Sequence, residues 1–317
     1  MSLFGIGKKA SGKSKSGKIK SGNNKKQSGK MGVAKSRTQP VNKAKTVSLP
    51  QEAVPVVNTA MATHIGTREY QQDAAYVCEP LFEDELAFGI LCDGMGGTAE
   101  GERASGDAVI FMANRIADLS EDESIPAFLE QTAYKANDLI LEKNEQLRQD
   151  SGTTLITVVM QGNNLYWLSI GDSRIYIIRD GEMVQVTTDH NYALELQEKV
   201  DSGQLSQEEA DADPKREHLI SYIGAPYLER LDINSVPFQM QYGDIILLCS
   251  DGLTKALYTD EILSIVTRCG GNIAEAARLL PLEAFRVSPD VLDNTTVILM
   301  QYFGESFSVT TENAEIK

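Results

Sequence analysis

Apolar residues in this chain fall largely into short unbroken runs. Leu86 to Cys92 and Ile245 to Cys249 are two such runs, and each predicts a strand buried on both faces. Thr153–Met160, Leu165–Ile170, Arg174–Ile178 and Met183–Val186 are shorter β-prone segments, punctuated by the turn formers Gly162-Asn163-Asn164 and Asp180-Gly181. Thr295 to Tyr302 predicts a last strand. Elsewhere the spacing is helical. Ala104, Ala108, Met112 and Ile116 fall on one face of a helix over Glu100–Leu119, and Ile125–Arg148 predicts a second with Pro126 in its first turn. Thr259–Arg268 and Asn272–Arg286 read as two more. Tyr192 to Asp213 is polar, rich in Glu and Gln, and helical in pattern. Strands gathered in the middle with helices before and after them do not alternate as a doubly wound sheet requires. The order predicts an α+β domain, with antiparallel strands packed between helices.

Composition divides the chain. Residues 1–50 hold 13 Lys and Arg and no Asp or Glu, which leaves 17 basic against 45 acidic residues in the remainder. Residues 1–55 are rich in Lys, Ser and Gly and too poor in apolar side chains to offset the entropy of ordering. They are read as a disordered basic tail, either a solubilising or intramolecular segment or one suited to an acidic partner, to anionic lipid or to nucleic acid. A folded domain is expected over 56–304, and a loose tail over 305–317. No apolar run is long enough to span a membrane, and no signal-type segment opens the chain. Cys78, Cys92, Cys249 and Cys269 lack ligand spacing and read as reduced thiols of a cytoplasmic protein.

The chemistry lies where the acidic residues fall. Asp93 ends the run Ile90-Leu91-Cys92 and precedes Gly94-Met95-Gly96-Gly97. Asp251 follows the run ending in Cys249-Ser250 and precedes Gly252, and Asp293-Asn294 stands just before the strand at Thr295. Asp73 closes Arg68-Glu69-Tyr70-Gln71-Gln72-Asp73, and Asp172 sits in Gly171-Asp172-Ser173-Arg174. One Asp-Gly alone is an ordinary turn former. Carboxylates gathered at the ends of core strands, however, repel one another and lose hydration unless cations lie between them. Hard divalent ions such as Mg(II) or Mn(II) prefer oxygen ligands of this kind, and two of them sharing a carboxylate would acidify a water.

From His64 to Tyr302 the chain resembles the type-2C (PPM) metal-dependent serine/threonine protein phosphatases in their bacterial form. The resemblance rests on segments in the family's order: Gly66-Thr67-Arg68 through Gln72-Asp73, Asp93-Gly94-Met95-Gly96-Gly97, Ser151-Gly152-Thr153-Thr154, Gly171-Asp172-Ser173-Arg174, Asp189-His190, Ile223-Gly224, Ser250-Asp251-Gly252-Leu253-Thr254 and Asp293-Asn294-Thr295-Thr296. It implies a four-layer α-β-β-α sandwich, antiparallel sheets flanked by helices, with metals in a cleft at one end. It implies that Asp93 bridges two ions of Mn(II) or Mg(II), joined by the Gly94 carbonyl, that Asp251 and Asp293 hold the second ion, and that Asp73 lies beside them. Asp172 would join Asp251 around a weaker third ion, and Arg68 would grip the substrate phosphate. The implied reaction is direct attack of metal-bound water or hydroxide on phosphoserine or phosphothreonine in proteins, in opposition to a serine/threonine kinase.

The chain departs from the family pattern in places. Gln71-Gln72-Asp73 stands where the family often has Asn-Gln-Asp, and Met95 stands where eukaryotic members carry a histidine proposed as general acid. The insertion over about 192–220 falls where bacterial members carry a flap, and is expected to gate or select substrate. His64, His190 and His218 read as structural groups. Two alternatives accompany the phosphatase reading: a catalytically weak phospho-dependent scaffold, opposed by the retained aspartates, and a nucleic-acid binder driven by the basic tail.

Overall fold

The computed structural model of the chain describes residues 57–79, 86–97, 99–120, 122–290 and 293–304. The expected tails over 1–55 and 305–317 lie outside the described residues. The strands are β1 (Val57–His64), β2 (Asp73–Cys78) and β3 (Ala87–Met95), followed by helices α1 (Glu100–Ala117) and α2 (Ile125–Leu147). Then come β4 (Gly152–Thr153), β5 (Leu155–Gln161), β6 (Asn164–Ile170), β7 (Arg174–Arg179) and β8 (Glu182–Gln185). Helices α3 (Tyr192–Asp201) and α4 (Gln207–Asp211) form the polar insertion. The chain continues through β9 (Asp232–Ile233), β10 (Phe238–Gln239), β11 (Ile245–Cys249), α5 (Asp251–Ala256), α6 (Thr259–Arg268), α7 (Ile273–Val287) and β12 (Thr295–Tyr302).

The strands form two antiparallel sheets. One has the order β1-β12-β11-β7-β8, and the other runs β10-β6-β5-β3-β2, with β4 beside β3 and β9 beside β6. Alternation along the strands explains why the apolar runs are unbroken. In β3, Ile90 and Cys92 face a core shared with α1 and α2, while Leu91 faces the opposite sheet. In β11, Leu247 and Cys249 pack under α5, α6 and α7, while Ile246 and Leu248 meet Leu91, Ile156 and Val158 between the sheets. Strand β12 divides likewise, Val297 and Leu299 outward and Ile298 and Met300 inward. Each central strand is buried on both faces, so polar alternation has no place in it. The result is the four-layer α-β-β-α sandwich that the motifs imply.

The predicted strands differ from those observed in one instructive place. Thr153–Met160 reads as continuous, but Thr154 breaks it into β4 and β5. There the backbone N–H of Thr154 donates to the Asp93 carbonyl at 2.9 Å, and its hydroxyl accepts from the Asp93 N–H at 2.8 Å. The break is the means by which one loop grips the end of β3.

Candidate active site

Asp73 and Asp93 are direct cross-strand partners in the β2–β3 ladder. Like charges set opposite one another in this way destabilise a sheet. Burial pushes the Asp73 carboxyl up to about 7, against hydrogen bonds from Thr296 and Ser250 that favour the charged form, and Asp251 and Asp293 push it further. The Ser250 hydroxyl donates to Asp73 Oδ2 at 2.8 Å, whereas Oδ1 is buried without a partner. Asp93 is half-buried by surface area, yet the protein packed around its carboxyl raises it well above the carboxylate range. Asp73, Asp251, Asp172 and Asp293 add to that, in that order. Asp93 therefore lies within electrostatic reach of all four other aspartates.

Those four come from both sheets. Asp251 opens α5 directly after β11, and Asp293 stands two residues before β12, in the sheet facing β2 and β3. Asp172 lies in the turn between β6 and β7, after Gly171 at φ 103°, and is also pushed to about 7, by burial first and Asp251 second. All five predicted carboxylates thus gather at one end of the sandwich. Their backbones are held closely. A Cβ on Gly94 would sit 2.2 Å from the Gly101 carbonyl oxygen and 2.7 Å from that of Gln72, so only glycine fits between β3, α1 and the strand entry. Asn294 ties three motifs together: its Oδ1 accepts from Gln72 N–H at 2.7 Å, and its Nδ2 donates to the Ile65 carbonyl at 2.8 Å.

The donor set suits hard divalent cations: it is all oxygen, carries several negative charges, and leaves Asp73 Oδ1 and Asp251 Oδ1 buried and unpartnered. As the side chains lie, no three Asp, Glu, His or Cys among the described residues close around one point tightly enough to hold an ion. Two of the carboxylates are turned onto protein cations instead. Arg68 Nη2 donates to Asp293 Oδ2 at 2.7 Å, and Lys255 Nζ pairs with Asp251 Oδ2. Receiving metal on either of these two Oδ2 atoms would require the paired cation to turn away, whereas Asp251 Oδ1 is unpartnered as it lies.

Other predicted residues fall into supporting places. The Gln71 amide donates to Thr63 Oγ1 at 2.5 Å and accepts from the Asp73 N–H at 3.1 Å, so the longer side chain still positions β2. His190 is buried. Its Nδ1 accepts from Gly171 N–H at 3.2 Å and its Nε2 faces Asp232 at 3.3 Å, so it supports the Asp172 turn. His64 accepts from Gly66 N–H at 2.9 Å and stacks on Phe285. Thr154 and Ser173 share a hydroxyl hydrogen bond of 2.8 Å that links the Asp93 strand end to the Asp172 turn. The insertion is clasped at its base, where Tyr192 N–H donates to His218 O at 2.8 Å and Ile220 N–H to His190 O at 3.0 Å. Beside it a cavity of about 440 Å³ runs from Asp172 and Asp251 to Asn191 and Glu217. Sequence reading passed over Lys255; a lysine four residues after a helix-opening aspartate looks like an ordinary surface pair.

A sequence model described as protein phosphatase 2C matches residues 62–278. The chain belongs to the protein phosphatase 2C family. Among relatives, it is 36% identical over 218 residues to protein phosphatase PhpP of Streptococcus pneumoniae, covering 67% of this chain and 84% of that one. It is 30% identical over 239 residues to the serine/threonine phosphatase stp of Listeria innocua, covering 74% and 91%. The crystal structure of the Mycobacterium tuberculosis serine/threonine phosphatase PstP/Ppp superposes with a TM-score of 0.65 at 31% identity, over 78% of this chain and 99% of that one. A structure of the PstP catalytic domain in complex with two manganese ions gives 0.63 at 30% identity, over 79% and 100%. Asp293 lies beyond the residues that the family model matches; in the structure it is within electrostatic reach of Asp73 and Asp93.

Proposed function

We propose that this family member hydrolyses phosphoserine and phosphothreonine in proteins with two divalent ions held among Asp73, Asp93, Asp251 and Asp293. The observation that carries the reading is the convergence of these carboxylates, two with buried unpartnered oxygens, at one end of a sandwich similar to that of a manganese-bound relative. In this reading Asp93 and the Gly94 carbonyl would hold the ions together with Asp251 and Asp293. Asp73, fixed by Ser250, stands next to them. The ions, when bound, supply positive charge to the phosphoryl oxygens and an acidified water.

The chain's own residues supply the rest. Arg68 is half-exposed at the rim, and its planar guanidinium matches two phosphoryl oxygens. With Asp293 engaged in holding an ion, it would be free to take them. Lysine could not reproduce that fork. Cys92 and Cys249, on the strands that lead to Asp93 and Asp251, are unsuited as nucleophiles, because both are wholly buried and burial raises both thiols. Manganese is favoured as the ion by the relative. The opposing enzyme is a serine/threonine kinase and the setting cytoplasmic, in keeping with free cysteines and with no described helix long and apolar enough to cross a membrane. The test is phosphate release from a phosphothreonine peptide. Turnover with Mn(II) that EDTA abolishes and fresh Mn(II) restores is expected; turnover indifferent to EDTA would refute the reading.

A further inference from the structure

Asp251 divides its carboxylate between two surroundings. Oδ1 is buried and has no partner, while Oδ2 takes the Lys255 ammonium one helical turn further along α5. An exposed i,i+4 pair of this kind is ordinarily worth only about 0.3–0.5 kcal/mol and means little. This pair, however, does not face open water alone. Lys255, Asp251 and Asp172 line the same cavity, which continues to Glu217 and Asp189. Asp172 is 8% exposed, and the charge of Lys255 is felt there as the chief opposing influence to burial and to Asp251. Burial alone would pull the Lys255 ammonium down, but Asp251, then Asp172 and Asp293, outweigh it and hold it above the ordinary lysine value. A tethered positive charge therefore stands among the carboxylates that the family resemblance assigns to a third ion.

We propose that Lys255 takes the place of that ion, neutralising Asp172 and the outer oxygen of Asp251, so that the chain loads two divalent ions and excludes a third. The proposal rests on the two-metal reading above and deepens it. A divalent ion beside Asp172 would meet a fixed cation already paired with its second ligand, and like charges at such range in a half-buried site repel strongly. Asp251 keeps its inner oxygen for the catalytic pair, so the lysine need not leave for the enzyme to load. The ammonium also spares the enzyme the dependence on high metal concentration that a weak third site imposes.

The experiment is calorimetric titration of Mn(II) into metal-stripped, full-length protein at about 0.15 M salt, where diffuse attraction to the acidic body is screened. Wild type is expected to show two saturable events per chain. Lys255→Gln should gain a third, and Asp172→Asn added to it should remove that event. Lys255→Arg, which keeps the charge, should stay at two. Three events in wild type, or two in Lys255→Gln, would overturn the proposal while leaving the two-metal reading standing. No event in folded wild type would overturn both.

Discussion

Asp93 shows what each residue of this site is asked to do. It is paired across the ladder with Asp73 and reached electrostatically by the other aspartates, an arrangement that only cations can relieve. Without metal the relief is partial and comes from Arg68 and Lys255. On the proposed reading Arg68 has two partners at different times, Asp293 before loading and phosphate after it. Arg68→Ala is expected to lower kcat/KM on a phosphopeptide about 10–100-fold, the worth of a charge-assisted pair, while Mn(II) affinity measured by calorimetry holds or rises because Asp293 loses a competitor. A loss of metal affinity in that variant would mean that the arginine helps to build the site. Asp93, Asp172, Asp251 and Asp293 were legible in the sequence because each flanks an apolar run, and Asp73 because it falls in a motif that follows a known order. Lys255 was not, since nothing in Leu253-Thr254-Lys255 separates a lysine turned towards carboxylates from one turned towards water.

At the scale of elements, legibility followed burial. Strands β3, β11 and β12 are covered on both faces and announced themselves as apolar runs. Strand β1 is an edge strand with half-exposed Asn58 and Thr59 and exposed Thr63, and β2 alternates too weakly over Asp73–Cys78, so neither had a distinct pattern. The two-residue strands β9 and β10 are too short to leave any signal. Helix α5, six residues long, was readable only as the segment after Asp251. Its placement depends on Gly252, where a Cβ would lie 2.2 Å from the Asn294 carbonyl oxygen and 2.7 Å from Thr295 Oγ1. Gly252→Ala must therefore push α5 away from the entry to β12, separating Asp251 from Asp293. A loss of about 1–3 kcal/mol in urea unfolding is expected, with weakened Mn(II) binding. Unchanged stability would show that the contact yields without cost.

The whole molecule joins a basic segment to an acidic body, a division plain from composition, although the basic residues lie outside those described. The compact unit over Glu52–Lys317 contains the five aspartates and Arg68. Deleting residues 1–50 should accordingly leave kcat and KM on a short phosphothreonine peptide within about twofold, the scale of change at positions remote from chemistry. Its effect should fall on partner capture, read as salt-sensitive binding to anionic vesicles or an acidic protein. Loss of peptide hydrolysis on truncation would mean that the segment takes part in the site. The central claim is that these carboxylates work as a metal-holding unit. Its most direct test is the rate of phosphothreonine peptide hydrolysis at saturating Mn(II) in wild type and Asp251→Asn, both checked for native folding. The account predicts that the single exchange of a carboxylate oxygen for an amide lowers turnover by about a hundredfold or more; an Asp251→Asn enzyme as active as wild type would contradict it.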